Sequence, residues 1–185
     1  VVISVLFAIA TVVSAAPVPD CNGAVYASAV TLALDPSISD HTYSFKGCTY
    51  QGGLTITSTT NNAPFTNVHV LVDECSATSF TLHAFMHIGA GSSVVVSNLT
   101  ASTNMYLYGS ISGAGTVNVV RSTILGTLLA GATLTANSLL SVRASAMNTF
   151  AWSGGSIKNS AVVAEDRRRA DAARRAGQPR RWSWR

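Results

Sequence analysis

Apolar and polar residues alternate along much of the chain, and the alternation recurs. The segments IGAGSSVVVSNL at 88–99 and ISGAGTVNVVRSTI at 111–124 are near copies. Alternation with a period of two predicts β-strands, and recurrence about every 25 residues is typical of solenoids. The recurring template is an apolar residue, two spacers, a small polar residue, one spacer and another apolar residue. It occurs at Val94/Ser97/Leu99, Val119/Ser122/Ile124, Val142/Ser145/Met147 and Ile157/Ser160/Val162, at Val70/Asp73/Cys75 with Asp in the polar place and, loosely, at Tyr43/Lys46/Cys48.

The template also contains a change of direction. Val94 and Val96 share one face of a strand, but Leu99 falls on the opposite parity, so the chain should turn near Ser97. Glycines precede the strands in each copy, which suits turns. These features predict an all-β fold, a parallel β-helix with coils of about 25 residues around one buried apolar column. An antiparallel β-sandwich is the alternative, although it would not explain the repeat.

Charge divides the chain into a body and a tail. Charged residues make up 11% of the sequence, and eight of the 12 Lys and Arg residues lie at or after Arg167. The body is therefore near neutral, and the overall basic balance is no argument for a nucleic-acid partner. We expect β-helix repeats over 41–164, a linker or N-terminal cap over 16–40, and a basic disordered tail over 165–185.

The first segment, VVISVLFAIATVVSAAPVPD, has an apolar run followed by small residues and proline. It predicts a signal peptide over 1–15, truncated at its start because it has neither an initiating Met nor a basic leader. The alternative is a truncated membrane anchor, which would need about 20 apolar residues, more than this run contains. The protein is accordingly expected to be secreted or on the cell surface, with membrane association only through regions missing from this chain.

The three cysteines, Cys21, Cys48 and Cys75, are spaced by 27 residues each time. Export would permit disulfides, and an odd number leaves one cysteine unpaired or bonded to another chain. Equivalent positions in adjacent coils lie about 4.8 Å apart, within reach of a disulfide. Cys48 and Cys75 are therefore predicted either to form a disulfide or to stack as buried thiols.

Little in the sequence points to catalysis, a metal or a cofactor. The repeats contain only Asp73 and Glu74 as carboxylates, and adjacent strand residues are expected on opposite faces, whereas glycosidases need a matched pair. His83 and His87 have the spacing of a zinc motif, but Ala84 occupies the Glu position, so partly exposed strand histidines are the expectation. Asn98-Leu99-Thr100 is the sole N-glycosylation sequon, and Asn98 is expected at a coil corner facing water.

The phrases VLVDECSATSF, VVVSNLTAS and AWSGGSIKNSAVVAE, after an apolar leader, resemble the dispersed gene family surface proteins of trypanosomatids. The resemblance covers roughly residues 65–165. It implies a β-helical, glycosylated, adhesin-like surface or secreted protein, of which this chain looks like an amino-terminal or truncated fragment. Residues 166–185 do not match.

The leading hypothesis for function is a noncatalytic solenoid that binds host matrix, glycans or coat proteins without a cofactor. One alternative is a polysaccharide lyase or hydrolase on the same scaffold. The other is a basic-tail binder of anionic polymers such as nucleic acid, heparin or anionic lipid, although predicted export argues against a nucleic-acid partner.

Overall fold

The computed structural model describes residues 11–12, 21–144, 146–166 and 182–184. This part of the chain is all strand, without helix, and winds as a parallel β-solenoid of about 6 turns with coils of about 23 residues. The predicted parallel β-helix is confirmed, and the β-sandwich alternative is wrong. Within the described ranges, no helix has the length and hydropathy needed to cross a membrane.

The described residues form 23 strands. They are β1 (Thr11–Val12), β2 (Cys21–Asn22), β3 (Val25–Tyr26), β4 (Val30–Leu34), β5 (His41–Lys46), β6 (Thr49–Tyr50), β7 (Leu54–Ser58), β8 (Pro64–Phe65), β9 (Val68–Asp73), β10 (Ser76–Ala77), β11 (Phe80–Leu82), β12 (His87–Ile88), β13 (Ser93–Ser97), β14 (Thr100–Ala101), β15 (Met105–Leu107), β16 (Ser110–Ile111), β17 (Thr116–Val120), β18 (Thr123–Ala130), β19 (Thr133–Leu134), β20 (Leu139–Ala144), β21 (Ala146–Trp152), β22 (Ala161–Asp166) and β23 (Trp182–Trp184).

Each coil contributes strands to sheets that run along the solenoid. The long face has the order β2-β5-β9-β13-β17-β20-β22-β23, and a narrow face has the order β19-β16-β12-β8. The third sheet consists of a corner strip, β3-β6-β10-β14, and a lateral face, β1-β4-β7-β11-β15, which join because β18 pairs with both β14 and β15. Neighbouring strands pair in parallel except β22 with β23.

The core lies inside the coils and explains the alternation. In the long face, Val70 is paired with Val94, Val94 with Val117, and Val117 with Leu140, and all four side chains are buried. Burial of each such side chain contributes roughly 1.5–3 kcal/mol, and no single coil could bury these residues alone. The inside of the solenoid is therefore filled, and the chemistry available to a partner lies on its outer surface.

The strand register corrects one detail of the repeat. Asp73 is opposite Ser97, as the template predicted, but Ser97 is opposite Val120, two residues before the predicted Ser122. Val94 therefore lies over Val117, not over Val119. Within the strand, a shift of two residues keeps every side chain on the same face, so the alternation of Val94 and Val96 alone could not detect it.

The corner between the long face and the corner strip is made by residues in the left-handed conformation. Successive coils place Gly23, Gly47, Glu74, Asn98 and Arg121 there, with φ of 69°, 65°, 54°, 52° and 51°. The amide of each residue donates to a carbonyl of the following coil, for example Gly47 N to Asp73 O at 2.9 Å and Asn98 N to Val120 O at 3.2 Å. The predicted turn near Ser97 is thus centred on Asn98.

The described residues cover only part of the predicted segments. Parallel pairing with the next coil already involves Cys21–Asn22, within the segment expected to be a linker or cap. Of the predicted signal peptide, Thr11–Val12 pairs with Thr31–Leu32, and the rest lies outside the described residues. Of the predicted disordered tail, residues 165 and 166 end β22 and Trp182–Trp184 pairs antiparallel with that strand. Residues 167–181 and 185 also lie outside the described part.

Candidate binding face

The lateral face presents an ordered set of neutral side chains. Thr55 pairs with Thr31 and Thr81, and Thr81 pairs with Tyr106, so these residues form one outward column. Phe80, Leu82, Met105 and Leu107 alternate with them and are buried. The strands of this face, VTLAL, LTITS, FTL and MYL, contain no Asp, Glu, Lys or Arg. The surface therefore offers hydroxyl groups and aromatic rings without charge.

Four aromatic side chains lie in and beside this column, in two adjacent coils. We call His83, Phe85, Tyr106 and Tyr108 the aromatic patch. The ring centroids of Tyr106 and Tyr108 are 6.1 Å apart with planes at 21°, and those of His83 and Phe85 are 4.6 Å apart with planes at 80°. Tyr108 N donates to Leu82 O at 2.9 Å, which places the two ring pairs in adjacent coils. Phe85 is 43% exposed, and both tyrosines are partly exposed.

Asn104 holds one of the tyrosines in place. Its Nδ2 donates to the Tyr106 hydroxyl at 3.0 Å, and its Oδ1 accepts from Thr127 N at 2.9 Å. The second bond connects the loop that contains Asn104 to β18, just after a register shift between Ile124 and Thr127. Such bulges redirect strands and occur often beside functional sites.

The second tyrosine lies over a glycine of the next coil. A Cβ built on Gly131 would be 3.1 Å from Cδ1 and 3.2 Å from Cε1 of Tyr108, closer than side chains normally pack. Any larger residue at position 131 would therefore push the ring away. Asn104 thus holds the Tyr106 ring by a hydrogen bond, and Gly131 leaves the room that the Tyr108 ring occupies.

A charged region lies at the corner of the long face. Asp73 Oδ1 accepts from Ser97 Oγ at 2.6 Å and from Asn98 Nδ2 at 2.9 Å, and Lys46 Nζ is 3.8 Å from Glu74 Oε2. The hydrogen bond from the Ser97 hydroxyl lowers the pKa of Asp73, and the Asn98 amide and the Lys46 charge lower it further. Burial raises this pKa, but the net effect is a lowering. Asp73 is therefore a carboxylate at neutral pH and is not poised as an acid.

The expectation that Asp73 and Glu74 point to opposite faces is wrong. Glu74 is in the left-handed conformation, which interrupts the alternation, and its side chain is 57% exposed. Both carboxylates consequently reach the outer surface at the corner.

Asn98, the predicted glycosylation site, lies at the corner with its amide directed toward Asp73. Its side chain is partly exposed, Leu99 is buried, and Thr100 is exposed. This geometry places the sequon on the outside of the coil, and attachment of a glycan there stays a prediction.

The structure places His83 and His87, which have the spacing of a zinc motif, in different surroundings. His83 packs on Phe85 after the end of β11, whereas His87 lies in β12, within 3.1 Å of Asn62 O and 2.7 Å of Ser112 Oγ. Among the described residues, no group of three or more His, Cys, Asp or Glu could hold a metal ion.

The disulfide joins a different pair from the one predicted. Cys48 bonds to Cys21, with Cα atoms 6.4 Å apart, and Cys75 is a buried free thiol. Cys75 does stack on Cys48 in the adjacent coil, since Cys48 N donates to Cys75 Sγ at 3.3 Å. Because Cys21 lies diagonally across the same corner, spacing alone could not choose between the two partners of Cys48. Burial raises the pKa of the Cys75 thiol.

The residues of the aromatic patch were not selected by sequence reasoning, apart from His83. A signal existed in MYLYGS, because burial of Met105 and Leu107 directs Tyr106 and Tyr108 outward. Nothing in the local sequence indicated that Phe85 and Asn104 would join them.

In comparisons with known proteins, no family model, no curated protein and no solved structure matched the chain. The resemblance to the dispersed gene family surface proteins therefore stays a prediction.

Proposed function

We propose that this protein is a noncatalytic, secreted or cell-surface β-solenoid, adhesin-like, that binds matrix, glycans or coat proteins through its outer surface. The observation that carries the proposal is the lateral face, where equivalent outward side chains from successive coils lie one above another. A solenoid with a filled interior holds such a surface rigid, which lowers the cost of ordering it on binding.

Two further features support the exported location. The Cys21–Cys48 disulfide is of the kind that persists in oxidising compartments, and the Asn98 sequon is on the outside of the coil. The resemblance to the trypanosomatid surface proteins points in the same direction. The coding DNA on both sides of this segment would test that membership, because further strand-forming repeats are expected there.

The experiment is a binding assay with the oxidised 185-residue chain produced in a secretory host. Immobilised matrix proteins, glycan arrays and cultured cells are the ligands, and an unfolded variant such as Val96→Asp is the control because Val96 is fully buried. Saturable binding to at least one ligand, lost in the unfolded variant, is expected. Glycosidase treatment of the same material reports on Asn98.

Two results would overturn the proposal. One is the absence of binding to every ligand by protein with an intact cooperative unfolding transition. The other is the release of new chain ends from pectin, hyaluronan or chondroitin, since that would make the solenoid an enzyme.

A further inference from the structure

The aromatic patch combines features that a sugar ligand requires. Sugars present C–H faces that pack on aromatic rings and hydroxyl edges that exchange hydrogen bonds. Tyr106, in β15, and Tyr108, just after it, provide two nearly parallel rings with centroids 6.1 Å apart and planes at 21°. Thr81 lies beside Tyr106 in the same outward column, Thr55 follows one coil further on, and both supply hydroxyl groups.

The rings are also held in place before any ligand arrives. Asn104 fixes the hydroxyl of Tyr106 and is itself bonded to β18, while the space above Gly131 accommodates the ring of Tyr108. Side chains that are already ordered lose less rotamer freedom on binding. A pair of tyrosines held only by solvent would lack this advantage.

We propose that the aromatic patch is a binding site for neutral glycans, with the sugar rings stacked on Tyr106 and Tyr108 and bordered by Phe85. This inference rests on the proposed function and specifies both the site and the ligand class.

The absence of charged side chains from the described strands of this surface favours a neutral glycan over an anionic one. Anionic polymers such as heparin are bound through Lys and Arg, and their binding weakens as salt releases counterions. The strands that carry and flank the patch, β7, β11, β15 and β18, contain none of these residues, nor any Asp or Glu. The ionised side chains among the described residues of the long face, including Lys46, Asp73 and Arg143, belong to a different sheet.

The test is affinity gel electrophoresis and calorimetry of the oxidised full chain with soluble neutral polysaccharides: a β-glucan, a mannan and a galactomannan. The variant Tyr106→Ala/Tyr108→Ala removes both rings and should weaken binding by about tenfold or more. Tyr106→Phe/Tyr108→Phe retains the rings and should bind within a few-fold of the parent protein. Leu71→Ala removes an exposed apolar side chain, 37% exposed, from the long face and should bind unchanged.

Competition by anionic polymers and the outcomes below decide whether the inference stands. Heparin and pectin should not compete at physiological salt, and salt-sensitive binding to these polymers alone would refute the neutral class. Equal binding by the double alanine variant and the parent would refute the site. Binding to matrix proteins without binding to any neutral polysaccharide would refute the inference and leave the proposed function standing. Should the double variant fail to fold, Phe85→Ala at the exposed border provides the same comparison.

Discussion

At the scale of single residues, the most informative side chain of the core is a tyrosine. Tyr43 is 1% exposed, and its hydroxyl is the one buried side-chain oxygen or nitrogen without a hydrogen-bond partner among the described residues. Burial, with a smaller contribution from the Asp35 charge, raises the pKa of Tyr43. A buried polar group that has lost its water without gaining a partner destabilises the folded state.

We therefore expect Tyr43→Phe to increase the free energy of unfolding by about 1 kcal/mol, as measured by urea denaturation. Tyr106→Phe is the matched control, because that hydroxyl accepts a hydrogen bond from Asn104 and its removal should slightly lower stability. A loss of stability in Tyr43→Phe would show that the hydroxyl has a partner after all.

At the scale of elements, the corner after each long-face strand sets the geometry of the coil. The first two coils use glycine there, whereas Glu74 and Arg121 adopt a left-handed conformation that is costly for residues with a Cβ. A Cβ at Gly47 would have room, since its nearest neighbours would be 3.8 Å away. Substitution at this corner consequently tests backbone conformation with little interference from packing.

We expect Arg121→Gly to raise the free energy of unfolding by about 1 kcal/mol and Gly47→Ala to lower it by about 1–2 kcal/mol. Asn98→Gly should not match the gain of Arg121→Gly, because asparagine tolerates the left-handed region and its amide donates a hydrogen bond to Asp73 that glycine would lose. Thermal and urea denaturation of the three variants checks the order. If Gly47→Ala were neutral, this corner would not be left-handed in solution.

At the scale of the whole molecule, stacked coils are held together by pairing, core burial and one covalent link. The Cys21–Cys48 disulfide closes a loop between the first two coils, and Cys75 is enclosed in the core one coil further on. Closing a loop of this length stabilises the folded state by roughly 3–4 kcal/mol in the chain-entropy model. A buried thiol with a raised pKa reacts slowly.

Reduction of the disulfide should accordingly lower the free energy of unfolding by roughly 2–4 kcal/mol. Before reduction, a thiol reagent should label no cysteine in the native protein and only Cys75 in denaturant, as read by peptide mass mapping. Labelling of Cys21 in the unreduced, denatured protein would instead indicate a Cys48–Cys75 pair. Cys75→Ala, which leaves the disulfide intact, separates the effect of the bond from that of the thiol.

The sequence by itself determined the class of fold and the inside of the solenoid. Alternation between buried and exposed positions is set by the strand geometry, so Val94, Val96 and their counterparts could be placed inward from their spacing alone. The turn near Ser97 and the stacking of Cys75 on Cys48 also followed, because they depend on the repeat and on parity, which are local properties.

Only the tertiary structure decided the exact register, the partner of Cys48 and the composition of the aromatic patch. Within a strand, a slip of two residues leaves the hydrophobic pattern unchanged, so Val117 and Val119 could not be distinguished as the counterpart of Val94. The patch combines a ring pair from each of two adjacent coils, and Asn104 positions one of the tyrosines through a bond to a third coil. Such neighbours are set by how coils stack, which no single stretch of sequence encodes.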